Sequence, residues 1–545
     1  MAGDRFIGMS GDTIAKADVV VVGEGVAGLM AALRARRAGA SVVLLGLGSG
    51  ASGWLQGVNV VVNGAHPLDS LATHRDDILR EGCGLNLSGL VEDTVAKAPE
   101  AFQELLDLGV DFALERDQPL VRHASGSTYP RCCYVLGAMW GGKAAQALRA
   151  ELKRLGVQRL RRRARRLICN DGVVCGLLAQ PAQGGDLVTI AAKAVVLANG
   201  GVGNLFAGST YPKDVFGASA ALALRAGAEL ADMEFLQFEP LVGHAPQKIA
   251  GYVIPTTLFG DGAVVRNAKG ERFLLQGRPQ GEAGISKEDL VREMVSQRDA
   301  GLTLEGGGLW LDATGVDRQV IERYTWLATF FRRHGIDINR ERVAVWPAAH
   351  TCLGGIRVDR ARMSSVPGLF AAGEAAAGIH GAGRLAGGSG TDVLAAGWIA
   401  GQAAADYSRA MPDMRPSFDL GNVGAGPEIS ATGALRIDSE ISRCLSDAAG
   451  IVRSSAKLQP ALTKLDLMQA QLPATAPSNP ASRWAETADR LLVAQAIIRA
   501  AMARQESRGA HLRCDFPATD ADQARSLVVT LAAGCQTPTI RWQEV

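Results

Sequence analysis

The chain has 545 residues, enough for two to four domains and for cores that need no staples. Lys+Arg 57 against Asp+Glu 55 leaves a net charge of +2, so no general attraction to nucleic acid or anionic lipid is expected. Hydrophobic residues make up 47% of the chain, which excludes disorder; the 65 glycines, about 12% against a usual ~7%, follow no every-third-residue period, which excludes collagen. The nine cysteines contain no C-x-x-C pair, so no metal or iron–sulfur site is expected, and their odd number reads as reduced thiols in a cytoplasmic protein. The start of the chain lacks a basic stretch followed by an apolar one, and no run of 18 apolar residues occurs. Neither a signal peptide nor a membrane span is predicted.

In chain order, ADVVVV at 17–22 leads into Gly23-Glu24-Gly25-Val26-Ala27-Gly28, then a helical pattern, then SVVLL at 41–45. This is strand, glycine turn, helix and strand within the span of one βαβ unit. Helical periodicity returns at 77–110 and 141–156; RRLICNDGVVCGLLA reads as two strands about the turn Asn170-Asp171-Gly172, and DLVTIAAKAVVLAN ends in Asn199-Gly200-Gly201. Residues 217–230 read as helix. Four prolines between 240 and 344 break that stretch into short pieces, as in an inserted domain with a basic helix near 317–334. GLFAAGE at 368–374 is again strand then turn, a helix follows, 411–427 reads as a linker, 430–507 as helical, and SLVVTLAA as a late strand. The arginine run from Arg159 to Arg166 reads as a solvated edge strand, with docking of an acidic redox partner as the alternative.

A glycine turn of this kind lets a backbone approach a pyrophosphate that faces a helix N-terminus. Alone it is weak evidence. Two further strands ending in small residues, AVVLANGG and GLFAAGE, describe the same kind of cofactor site. At this point the sequence resembles the flavoprotein subunits of succinate dehydrogenase and fumarate reductase, together with L-aspartate oxidase. The resemblance is carried by Phe235-Leu236-Gln237-Phe238-Glu239-Pro240, Gly260-Asp261-Gly262, Asn267 to Phe273, His350-Thr351-Cys352-Leu353-Gly354-Gly355, His380-Gly381-Ala382-Gly383-Arg384-Leu385, and Glu506-Ser507-Arg508-Gly509-Ala510-His511.

The resemblance implies an α/β protein: a Rossmann-like two-dinucleotide FAD-binding domain (1–239 and 345–425), an inserted α+β capping domain (240–344), and a mainly helical C-terminal domain (426–545). It places Gly23, Glu24, Gly25 and Gly28 at the FAD pyrophosphate turn, and Ser52, Gln56, Gly57, Asn199, Gly200, Gly201, Glu374 and Ser389 along the cofactor. Two positions depart from common patterns. The second strand ends in Leu45-Gly46, where many dinucleotide folds carry an acid for the adenosine ribose, and Ala51 stands where the respiratory members attach FAD through a histidine, so noncovalent FAD is implied.

The family's chemistry is hydride transfer between flavin N5 and a carbon beside a carboxylate, with a proton moved at the neighbouring carbon. Arg384 suits a carboxylate clamp and His350 a hydrogen-bonding partner of the substrate. The family arginine before G-E-G is Phe259 here, and the histidine of Q-F-H-P is Glu239. Succinate–fumarate chemistry by the family route is therefore not expected. Glu239 is a ligand for a substrate cation or a base, Phe259 a wall for an apolar substituent, His244 a weaker candidate base, and Arg266 a poor substitute. Gly383 and Gly388, where the family has asparagines, read as a pocket emptied of side chains. Adjacent Cys132 and Cys133 read as buried thiols. Three functions stay open: an FAD-dependent oxidoreductase of a small carboxylate, an L-aspartate oxidase-like amino-acid oxidase, or an electron-transfer flavoprotein docked on a redox protein.

Overall fold

The computed structural model describes residues 13–115, 117–412, 431–472 and 482–543; the expected linker at 411–427 lies almost wholly outside them. One seven-stranded sheet organises the first half of the chain. Its strands are β1 (Thr13–Val22), β2 (Val42–Leu45), β3 (Gln158–Leu160), β4 (Arg162–Asn170), β5 (Val173–Pro181), β6 (Val188–Leu197) and β7 (Leu369–Ala371). They lie in the order β3-β2-β1-β6-β5-β4, with β7 paired to the C-terminal part of β6. The β3, β2, β1, β6 and β7 pairings are parallel, whereas β5 and β4 join as an antiparallel hairpin whose turn puts Asp171 at φ 49° and Gly172 at φ 77°.

The apolar run in β1 is continuous because both of its faces are covered. Val20, Val22, Val43 and Leu45 enter one core, and Val19, Val21, Val42 and Leu44 enter the other. Helix α1 (Val26–Arg37) lies on the second face against the helix Gly388–Ala410, so closely that a Cβ at Gly397 or Gly401 would collide with the backbone of Ala27 or Ala31. Part of the glycine excess is thus helix packing.

Residues 243–345 contain a separate four-stranded antiparallel sheet, Gly243–Ala245, Val343–Val345, Leu309–Asp312 and Val264–Arg266 in spatial order, over its own apolar core. A two-stranded ribbon, Leu236–Glu239 with Ala348–Cys352, carries the chain into and out of this unit. The expected helix at 77–110 is two helices, Leu71–Glu81 and Ser88–Asp107, because Cys83 (φ 52°) and Gly84 (φ 81°) adopt left-handed backbone between them. The helix expected at 217–230 stops at Arg225. The described residues of the stretch 430–507 contain three helices, Ala431–Ala448, Ser455–Ala470 and Arg483–Ala503, whose apolar faces share the larger core of the main sheet. No helix among the described residues is long and apolar enough to cross a membrane.

Candidate active site

A cavity of about 720 Å³ extends from the β1–α1 turn to the ribbon that leads into the second unit. Gly23, Gly25, Gly57, Asn199 and Gly200 line it, as do Ser52, Gln56, Glu374 and Ser389. Gly23 has φ 120°, and a Cβ there would collide with the Ala198 carbonyl. The same is true of Gly28 against the Gly23 carbonyl, so Gly28 packs helix on turn and does not line the cavity. Gly201 likewise lies behind the wall, leaving room for the Glu374 side chain. The N-terminal ends of two helices, α1 and Gly388–Ala410, face the cavity with their positive dipole ends, while the Val26 amide donates to Ser52 Oγ at 3.1 Å. An elongated cavity walled by glycine backbone and two helix N-termini fits a dinucleotide with a central pyrophosphate.

At the end of β2 the expected acid is absent, but its space is filled. A Cβ at Gly46 would collide with Cγ of Glu24, whose buried carboxylate is gripped by Arg159 through Nε and, at 2.8 Å, through Nη2. The arginine run spans the edge strands β3 and β4, as expected; Arg159 and Arg161 are exposed and the other arginines of the run half-buried. Arg162, Arg163 and Arg165 line the cavity, and Arg165 Nη2 donates to the Ser482 carbonyl at 2.9 Å.

At the other end of the cavity three side chains converge from distant stretches. Glu239 is buried and forms an ion pair with Lys287 Nζ, while His350 Nε2 lies 3.5 Å from Glu239 Oε2. All three line the cavity. The ribbon positions two of them: Phe238 pairs with Ala349 but Gln237 with Thr351, so His350 is the extra residue of a β-bulge, which re-aims its ring. Its Nδ1 shares a 2.8 Å hydrogen bond with Thr210 Oγ1. Lys287 is the first residue of the helix Lys287–Asp299, whose cap is Ser286 Oγ accepting from Asp289 N at 3.0 Å. Burial, reinforced by the charges of Lys287 and Arg384, holds His350 well below the usual imidazole range, so it stays neutral. Burial also lowers Lys287, with Glu239 opposing that shift. Glu374 accepts from Tyr211 Oη at 2.5 Å and from Cys352 N at 3.0 Å, and burial pushes its carboxyl up to about 7.

Arg384 does not line the cavity. Its Nη2 donates to Gln237 Oε1 at 2.6 Å and its Nη1 to the Leu385 carbonyl at 3.1 Å, while Gln237 Nε2 donates to Glu288 Oε1 at 2.5 Å. Phe259 is packed in the core of the second unit rather than on the cavity, because its short helix turns it inward. His244 bonds the Gly306 carbonyl at 2.9 Å outside the cavity, and Arg266 is paired with Asp312. Gly383 and Gly388 do not line this cavity; with Arg384 they border a separate space of only about 10 Å³, where a Cβ at Gly383 would press on the Glu81 carbonyl and one at Gly388 would contact Cγ of Arg384 at 3.5 Å. Cys132 and Cys133 are buried thiols, Cys132 pushed up to about 12 by desolvation. Among the cavity residues that sequence reasoning missed are Lys287 and Arg122, and of these Lys287 left a mark in the sequence. The mark is Ser286-Lys287-Glu288-Asp289, a helix start with a cation in the first turn against the dipole.

The largely parallel sheet, glycine turn and elongated cavity define a dinucleotide-binding protein. The FAD binding domain family matches residues 18–389 and the fumarate reductase flavoprotein C-terminal family matches 438–545. A curated relative from Methanothermobacter marburgensis, a subunit of its CoM/CoB fumarate reductase, is 30% identical over 532 residues, covering 94% of this chain and 96% of that protein. L-aspartate oxidase of Caulobacter vibrioides is 34% identical over 531 residues, 93% of this chain and 95% of that protein. Among solved structures, E. coli quinol fumarate reductase superposes with a TM-score of 0.87 at 25% identity and Mycobacterium smegmatis Sdh1 with 0.82 at 30%; each match covers 97% of this chain, and 97% and 95% of those chains respectively. The chain therefore belongs to the fumarate reductase/L-aspartate oxidase family of FAD-dependent oxidoreductases.

Proposed function

We propose that the protein binds FAD noncovalently and exchanges two electrons between it and a small carboxylate substrate, with Lys287 moving the accompanying proton. The observation that carries this reading is the Lys287–Glu239 ion pair on the cavity wall. FAD, when bound, supplies the two-electron donor or acceptor. Lys287 Nζ gives a proton to the substrate carbon beside the reacting one, or takes it in the reverse direction. A lysine whose pKa is lowered by burial suits this work better than a free one, because it changes charge nearer to neutral pH. His350, held neutral, positions the substrate by a hydrogen bond and carries no net charge. Glu239 already has its cation in Lys287, which argues against an amino group on the substrate and so against the amino-acid oxidase reading.

Because Arg384 faces Gln237, the substrate carboxylate falls to Arg122. Its guanidinium lines the cavity between the rings of Tyr134 and Tyr324, at 4.4 and 4.5 Å, 3.8 Å from Asp261 Oδ2, and its Nη1 has no acceptor among the described residues. Ala51 on the cavity wall supports noncovalent attachment. The division into residues 1–239 with 345–425, 240–344 and 426–545 remains our proposal; the separate core beyond Leu241 supports its middle part. All nine cysteines are unpaired, which supports a reducing, cytosolic setting. The Methanothermobacter relative is named as one subunit of its reductase, which supports an electron-transfer partner.

The test is anaerobic reduction of the purified flavoprotein, followed by stopped-flow mixing with a panel of unsaturated mono- and dicarboxylates, with amino acids and oxygen as controls for the oxidised and reduced forms. Reoxidation by a member of the carboxylate panel, lost in Lys287→Met with the flavin retained, is expected. Peroxide formation with an amino acid, or full activity in Lys287→Met, overturns the proposal.

A further inference from the structure

We infer that Thr210 is a positioning residue for His350, given the substrate contact proposed above for that ring: its hydroxyl donates to Nδ1 and so fixes the Nε2–H tautomer, the form that gives a hydrogen bond to a substrate oxygen. Both residues line the cavity. Nδ1 lies 2.8 Å from Thr210 Oγ1, and Nε2, across the ring, lies 3.5 Å from Glu239 Oε2. A neutral imidazole has one N–H and one lone pair, so the two nitrogens need opposite partners. Were Nδ1 the protonated atom, the Nε2 lone pair would face a carboxylate oxygen. With Nε2 protonated, an N–H faces that oxygen and Nδ1 requires a donor.

Thr210 supplies that donor. Its hydroxyl also lies 3.3 Å from the Ala349 carbonyl, but this carbonyl already accepts from the Thr210 amide at 3.0 Å. The shorter contact, to the ring nitrogen, is therefore the better use of a single hydroxyl proton. The amide bond to Ala349 also ties Thr210 to the residue just before His350 in the bulge, so the backbone holds hydroxyl and ring in register. The Tyr211 ring packs edge-on against the imidazole at 5.8 Å between centroids, and Glu374 anchors its hydroxyl. Lys287 pairs with the same Glu239 Oε2, so a doubly protonated ring would be a second cation on one carboxylate; burial and the charges of Lys287 and Arg384 oppose it. His350 Nε2 and Lys287 Nζ are thus both donors, and this end of the cavity suits a carboxylate or carbonyl oxygen.

The test is a proton–nitrogen correlation spectrum of the oxidised, FAD-loaded protein carrying isotope-labelled histidine, with the His350 ring assigned by its absence in His350→Phe. A protonated Nε2 and a hydrogen-bonded, unprotonated Nδ1 are expected. A proton on Nδ1, or on both nitrogens, would overturn the inference. In Thr210→Val the Nδ1 resonance should move to that of a nitrogen without a donor, whereas Thr210→Ser, which keeps the hydroxyl, should leave it in place; an unmoved resonance in folded Thr210→Val would overturn the inference too. If Thr210→Val does not fold, judged by circular dichroism, the wild-type spectrum decides. This readout needs no substrate, so it is independent of the proposed reaction. With the active carboxylate, Thr210→Val should raise KM about three- to tenfold while kcat stays within about twofold, and Thr210→Ser should recover most of the loss. An unchanged KM in folded Thr210→Val would deny the ring its substrate contact and overturn the positioning role.

Discussion

The two ends of the cavity are built in different ways. At the β1–α1 end, Gly23, Gly25 and the first turn of α1 are consecutive in the chain, and backbone geometry forms most of the site. At the other end, Glu239, Lys287 and His350 come from three separate stretches, and the site consists of side-chain charges that exist only once the ribbon and the second unit have docked. A site made of backbone fails through sterics, whereas one made of buried charges fails through unpaired ions and shifted protonation. Mutations at the two ends should therefore give different signatures.

The largest effect is expected from Gly23→Val, which places side-chain atoms where the Ala198 carbonyl lies and forces φ 120° on a branched residue. FAD binding should be abolished, and the purified chain should show no flavin absorbance. Retention of FAD would erase the contrast.

Lys287→Met should retain FAD while lowering turnover by about 10²-fold or more, the scale of a lost proton carrier. It also strands a buried Glu239, so the melting temperature should fall, and the double variant Lys287→Met/Glu239→Gln should regain stability but not activity. In the wild type, the reductive direction requires protonated Lys287. Its rate should therefore fall as pH rises through a pKa below the ordinary lysine value of about 10.4, and this limb should vanish in Lys287→Met.

A smaller effect is expected at Glu374, between the two ends. Its folded pKa of about 7 lies above the reference value of 4.5, so folding favours the protonated form. As pH rises from 4.5 through 7 the apoprotein should lose stability from this group, by up to about 3 kcal/mol, and the loss should level off above that range. Denaturant titrations of Glu374→Gln against wild type should show a difference that grows over this window and is absent at low pH.

The smallest change is expected for Arg266→Met in the second unit. Arg266 pairs with Asp312, which is held down to about 2 by Thr314 and Arg266 hydrogen bonds that outweigh burial, and Arg342 remains beside the same carboxylate. Turnover should stay within about twofold, with a modest loss of stability. A large loss of turnover would make Arg266 a proton carrier after all and remove Lys287 from that role.

By itself the sequence determined the FAD-binding architecture, because a turn with φ above zero, a helix start and an apolar run are local and leave local marks at Gly23 to Gly28 and in ADVVVV. It also singled out Glu239 and His350, which meet at one end of the cavity, through their ordered motifs. Only the tertiary structure decided which charge meets which. It turned Arg384 onto Gln237, buried Phe259 in another core, gave Lys287 to Glu239, and paired Glu24 with Arg159. These outcomes depend on contacts between residues far apart in the chain. The free energy of a buried charge is set by the partner it finds there and not by its neighbours in sequence.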